Sequence, residues 1–142
     1  MPSGNQPSAA NELFAIASVS STDKWAVGLG NNPSPFQTLI ERYNGATWQI
    51  VPSPNVAGVA NALYAVTAIA ANDVWAAGFS DVGQNPSKPL FVHWNGSAWS
   101  IVPSPDVPAD TGQIDGLYAV SANDIWAVGH LFTQAALSAY AP

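Results

Sequence analysis

The chain contains no cysteine in its 142 residues. Neither a disulfide framework nor thiolate chemistry is therefore open to it. Basic residues are almost as scarce: Lys24, Arg42 and Lys88 stand against nine acidic residues, for a net charge of −6. That balance excludes the basic footprint of a nucleic-acid binder and disfavours an anionic membrane surface as partner. Charged residues of either sign make up 8% of the chain, about a third of the usual share. No apolar run approaches the roughly 18 residues of a membrane span. The opening Met1-Pro2-Ser3-Gly4 has neither the basic nor the apolar region of a secretion signal. Either the protein stays inside or its signal lies outside this chain, and a surface carried by Asn, Ser, Thr, Gln, Pro and Gly fits an extracellular or cell-surface bacterial protein. The hydrophobic share of 48% is enough for a core and argues against disorder.

What is present is a repeat. Asp23-Lys24-Trp25-Ala26-Val27-Gly28 returns as Asp73-Val74-Trp75-Ala76-Ala77-Gly78 and again as Asp124-Ile125-Trp126-Ala127-Val128-Gly129. The tryptophans lie 50 and 51 residues apart. A fixed period of that size marks stacked units, none of which can bury its apolar face alone. Each unit runs in the same order. A first apolar stretch, 13–19, 63–69 or 114–120, meets a short polar turn and then the Asp-x-Trp segment. A variable loop rich in Pro, Asn and Gly follows. The next stretch, 38–43 or 89–94, leads through Asn44-Gly45 or Asn95-Gly96 into a last one that holds Trp48 or Trp99. Pro-Ser-Pro closes it at 52–54 and 103–105.

These stretches are five to seven residues long, rich in Val, Ile, Trp and Tyr, and bounded by turn residues. They read as strands. Asn-Gly between two strands predicts a two-residue type I′ hairpin, and proline ends the last strand because it cannot donate to a ladder. Each unit is thus expected to be a four-stranded antiparallel meander, with strands a, b, c and d. Several runs are apolar throughout, so both faces of each sheet must be covered. Stacked four-stranded sheets at this period predict an all-β fold, the β-propeller.

The blades are placed at 1–50 with an N-terminal linker, 51–101, and 102–142, the last without its fourth strand. Leu137 to Tyr140 are placed as the third strand c. Propellers close with about 4–8 blades. A partial propeller of about three blades is expected to be a piece of a larger one; copies joined head to tail are the second arrangement. Against the latter, a missing strand d leaves an unpaired edge. The partners expected are an unknown protein or glycan, the remaining blades of the same propeller, or further copies meeting at open edges.

The repeated aspartates are expected to hold backbone N–H groups of the turn that opens strand b. The tryptophans at the repeat period are expected to pack between blades. Of two histidines, His93 takes the place of Arg42 in the other copy, which reads as a tolerant blade face. No spacing resembles a metal site, and no cofactor is expected. Function is sought in the variable b–c loops, 28–37 and 78–88, because loops that differ on a fixed scaffold are where binding residues gather. Asp81, Asn85 and Lys88 are the candidate polar ligand contacts.

The pattern Asp-x-Trp-Ala-Val-Gly, followed by Trp/Tyr-Asn-Gly-x-x-Trp-x-Ile-Val-Pro-Ser-Pro, resembles the repeats of bacterial β-propeller proteins over essentially the whole chain. It is more loosely similar to Asp-box (BNR-type) repeats of sialidase-like propellers and to kelch repeats. The Asp-box aspartate is absent from the Asn44 hairpin, and kelch's paired glycine is absent after strand b. The resemblance implies a propeller and carries no activity. The function expected is a non-enzymatic binding or scaffolding module. A glycan-binding lectin propeller is the alternative, set back by loops that differ between copies. A sialidase-like hydrolase ranks last, because gripping a sialic-acid carboxylate takes several arginines and the chain has Arg42 alone.

Overall fold

In the computed structural model the described residues are 10–31, 35–81, 87–104 and 111–132. They form antiparallel sheets. β1 (Asn11–Ser18), β2 (Lys24–Gly30), β3 (Gln37–Tyr43) and β4 (Trp48–Ile50) make the first, in sequence order. β5 (Ala60–Ala70), β6 (Asp73–Asp81), β7 (Lys88–Trp94) and β8 (Trp99–Val102) make the second. β9 (Thr111–Ser121) pairs with β10 (Asp124–Phe132) in the third. The expected third strand c, at Leu137 to Tyr140, lies outside the described residues. The architecture is all-β, and these meanders are blades of a partial propeller.

The core lies between sheets. Trp25, Val27 and Ile40 of the first sheet pack against Leu63, Val66, Val74, Val92, Trp94 and Trp99 of the second. Ring centroids of Trp25 and Trp94 are 5.0 Å apart, and those of Trp25 and Trp99 are 5.3 Å apart in an edge arrangement. Such edge and tilted pairs suit the quadrupoles of the rings. Of the repeat tryptophans, Trp25 and Trp99 thus meet across the joint, while Trp48 and Trp75 pack on Tyr43 and His93 of their own blades and Trp126 is exposed. Each new blade lays its first strand on the blade before: β5 packs on β1, β2 and β3, and β9 on β5, β6 and β7. The strands β1, β5 and β9 consequently stand side by side as the inner row.

Two local devices recur. The first is a bulge in each inner strand. The register skips Phe14, Tyr64 and Asp115, at matching places in the three copies. A bulge adds one residue and re-aims a side chain. Opposite each bulge stands the last residue of the motif, Gly28, Gly78 or Gly129. A Cβ there would overlap the carbonyl oxygen of Glu12, Ala62 or Gln113. The glycine of Asp-x-Trp-Ala-x-Gly is therefore demanded by close backbone approach.

The second device is the c–d hairpin, which corrects the expected two-residue turn. Tyr43 pairs with Trp48 and Trp94 with Trp99, so the loops are the four residues 44–47 and 95–98. Gly45 and Gly96 carry φ of 94° and 97°. The Asn44 side-chain oxygen accepts from the amides of Ala46 and Thr47, both at 3.0 Å, and Asn95 holds Ser97 and Ala98 at 2.9 and 3.0 Å. Asparagine here acts through its side chain, closing an Asx turn.

The Pro-Ser-Pro connector between the first two sheets is fastened to β3. Ser53 Oγ lies 2.6 Å from Thr38 Oγ1, and Asn55 Oδ1 accepts from the Thr38 amide at 2.8 Å. Fully buried Asn61 then holds Val56 at both its amide and its carbonyl.

Candidate functional site

The blades present two rims. One carries the a–b turns and c–d hairpins, and its parts repeat. The other carries the b–c loops and the ends of the inner strands, and its parts differ.

On the repeating rim the structure changes the account of the aspartates. Asp23 closes the a–b turn with its backbone oxygen, which accepts from Val19 and Ser20 at 2.9 and 3.0 Å. Its carboxylate faces strand c instead. Arg42 Nε donates to Oδ1 and Nη2 to Oδ2, each at 2.8 Å. In the second blade His93 Nε2 lies 2.8 Å from Asp73 Oδ1, which also accepts from Trp75 Nε1 at 3.0 Å. The Arg42/His93 exchange is thus confined to side chains that meet a carboxylate, and the position is not a tolerant face. The guanidinium sits 4.8 Å from the Trp25 ring, and the imidazole 4.4 Å from the Trp75 ring. The hydrogen bond to Asp23 raises the Arg42 pKa; burial opposes it and the Asp23 charge adds to it. Each pair locks strand b to strand c inside its own blade, and the pairs do not converge.

The differing rim holds the predicted ligand contacts. Asp81 ends β6 and exposed Lys88 starts β7, with Ser80 paired to Lys88. The two therefore flank one b–c loop. Asn85 lies outside the described residues. This loop also holds the next blade: the Ser87 carbonyl accepts from Gly112 at 2.7 Å, as the Phe36 carbonyl accepts from Asn61 at 2.9 Å.

Beside these loops runs an aromatic row that the sequence reading missed. Phe14 stacks on Tyr64 at 4.7 Å, Tyr64 on Phe79 at 5.9 Å, and Phe79 meets Phe36 edge-on at 6.2 Å. The row crosses from the first blade to the second. Its two inner members are the bulge residues of β1 and β5, and its outer members flank the b–c loops. Carboxylates stand along it. Tyr64 has its pKa raised by burial first, then by the charges of Glu12 and Asp115. Asp115, at the third bulge, accepts from Gln113 Nε2 at 2.7 Å and lies 2.7 Å from His130 Nδ1. The His130 contact is the main cause holding its carboxyl below the usual range. A sequence signal existed: Phe14 and Tyr64 are 50 residues apart, opposite the motif glycines. Among the described residues no three His, Cys, Asp or Glu side chains could hold a metal ion. The rim offers flat apolar faces beside negative charge.

No protein-family profile matches the chain, and no curated protein matches it. Among solved structures it is similar to YCF48 bound to D1 peptide, a β-propeller, with a TM-score of 0.55 at 14% identity. The likeness covers 92% of this chain and 40% of that one. The chain spans about two-fifths of its neighbour's length.

Proposed function

We propose that the chain is a non-enzymatic propeller module that takes an extended peptide segment of a partner protein along its b–c rim. One observation carries this reading: the Phe14–Tyr64–Phe79–Phe36 row, continuous across two blades on the rim whose loops differ. Rings in register accept the alternate side chains of an extended segment. The charges of Glu12 and Asp115 beside Tyr64 favour a basic side chain, as does the net charge of −6. A Lys or Arg over an aromatic face gains about 0.5–1 kcal/mol at an exposed site. The similar propeller was solved with a peptide bound, which accords with a peptide as the class of partner. The glycan alternative needs equivalent polar sites in each blade, and the b–c loop sequences at 28–37 and 78–88 differ. Export to the cell surface belongs to this reading through composition alone.

Calorimetric titration with short unstructured peptides, alternating Lys or Arg with Gly, tests it. Binding should weaken several-fold in Tyr64→Ala and in Glu12→Gln, and should fall with salt. Equal affinity for acidic and basic peptides, or unchanged affinity in Tyr64→Ala, would remove the proposal.

A further inference from the structure

The sequence pairs asparagine with glycine twice, at Asn44-Gly45 and Asn95-Gly96, and both pairs sit in exposed c–d hairpins. An asparagine followed by glycine carries its own electrophile and nucleophile. The nitrogen of the next residue can close a five-membered ring on the side-chain amide carbon, and glycine puts no Cβ in the way. The turn itself fixes the glycine: a Cβ on Gly96 would lie 2.8 Å from that of Asn72. The two hairpins treat this chemistry differently. Asn44 Oδ1 accepts only from the amides of Ala46 and Thr47. Asn95 Oδ1 accepts from the Ser97 and Ala98 amides at 2.9 and 3.0 Å, and also from the Ser97 hydroxyl at 2.8 Å. Among the described residues nothing accepts from the Asn95 side-chain amino group or from the Gly96 N–H. The amide oxygen is thus pinned by donors, while the nitrogen that attacks and the nitrogen that leaves are both untied.

Attack on the side-chain carbon pushes negative charge onto Oδ1 in the transition state. Donors already aimed at that oxygen stabilise the charge, as in an oxyanion hole. We propose that Asn95 is a site of spontaneous deamidation, activated by the Ser97 hydroxyl above the level of Asn44. The step needs only water. The Gly96 nitrogen gives its proton to solvent base and bonds to Asn95 Cγ. The Cγ–Nδ2 bond breaks, and Nδ2 takes a proton back from water and leaves as ammonia. Water then opens the cyclic imide at either carbonyl, yielding aspartate or isoaspartate, with no change of oxidation state. The isoaspartate product lengthens the main chain by one carbon, in a loop closed by the Asn95 N–H on the Ala98 carbonyl at 3.3 Å. Trp94 and Trp99 pair across the ends of that loop, and both pack on Trp25. The modification therefore acts on the joint between the first two blades. It stands independently of the peptide-binding rim.

Peptide mapping by mass spectrometry, after incubation of the intact chain in mildly alkaline buffer, reads amide loss at each asparagine. In the folded chain Asn95 should react about two- to tenfold faster than Asn44, the worth of one further neutral hydrogen bond in the barrier. Ser97→Ala reproduces Ala46 of the other hairpin and should bring Asn95 down to the Asn44 rate. Ala46→Ser should raise Asn44 towards Asn95. In concentrated urea, where the turns are lost, the two rates should converge. Near-ultraviolet circular dichroism confirms that the variants keep their packing. Equal rates at the two sites in the folded chain would overturn the inference. So would an Asn95 that keeps its amide when folded and loses it in urea, because the turn would then be protecting it. A folded Ser97→Ala variant that deamidates as fast as the wild type, or a rate ratio unchanged by urea, would also refute it.

Discussion

Replacing Arg42 by Met removes a guanidinium and keeps most of the apolar stem. The charge it leaves behind is Asp23, whose carboxylate loses both of its 2.8 Å hydrogen bonds from Arg42. Side-chain exposures of 33% for Arg42 and 18% for Asp23 put this pair between two known regimes. Exposed ion pairs are worth about 0.2–1 kcal/mol, whereas stranding a charge in a fully buried pair costs about 3–5 kcal/mol. The bidentate geometry and partial burial place Arg42→Met near 2 kcal/mol. Loss of the cation over Trp25 adds roughly 0.5 kcal/mol. Urea unfolding followed by tryptophan fluorescence reads the total, since Trp25 lies in the joint between the first two sheets. A double-mutant cycle with Asp23→Asn isolates the pair, with an expected coupling of about 1–2 kcal/mol. Arg42→Lys should recover less than half of the loss, because an ammonium cannot make the paired contact. A coupling below about 0.5 kcal/mol, within the scatter of independent sites, would refute the claim that the repeated aspartate exists to hold strand c.

Gly78→Ala should cost about 3 kcal/mol or more, because its Cβ meets the Ala62 carbonyl in a packed joint. Gly58→Ala, with φ of 77° but open space around it, should cost only about 1 kcal/mol; equal losses in urea unfolding would discredit the bulge account. Tyr64 ionises later in the folded chain than the ordinary value of about 10. Its contribution to stability is therefore intact below that value and is lost as pH rises through the folded pKa. Ultraviolet titration should find Glu12→Gln bringing Tyr64 part of the way back, with burial and the Asp115 charge holding the remainder. For Asp115 the sign is opposite. Its pKa is lowered, chiefly by His130, so its contribution is present above the ordinary carboxylate value and is lost as pH falls through the lowered one. Carboxyl NMR should show His130→Gln raising the Asp115 pKa, and an unmoved Asp115 would refute the pairing.

Period, strand order and turn positions were legible because each rests on chemistry within a few residues. Val, Ile and Trp runs between Pro, Asn and Gly define strands locally, and self-similarity at 50 residues supplies the stacking. Register is another matter. The strands carry apolar residues on both faces, so they lack the alternation in sequence that normally reveals which residues share a face. A single inserted residue at Phe14, Tyr64 or Asp115 then leaves no mark in the pattern. Without the bulge, the motif glycine has no visible reason, and the aromatic row cannot be seen. The Asp23–Arg42 pair was hidden in the same way. It links positions 19 residues apart, and only the b–c register brings them together.

That difference locates function within the repeat. Where the first two copies agree, the repeated aspartates and hairpin asparagines find their partners inside their own blade. Trp75 and His93 both reach Asp73, and Asn95 reaches its own turn amides. A site so satisfied has little left to offer a ligand. Where the copies disagree, the same backbone feature carries Phe, then Tyr, then Asp at positions 14, 64 and 115. A bulge that aims three different side chains from one repeated scaffold holds geometry constant while chemistry varies. Packing alone would favour one residue type at all three places, as it does for the glycine opposite. The variation at a fixed geometric position is thus the mark of the binding rim. Replacing Asp115 by Asn should leave unfolding within about 1 kcal/mol of the wild type, the worth of an exposed pair, while weakening the preference for basic peptides. Loss of stability on the scale of Gly78→Ala would instead place this residue with the core.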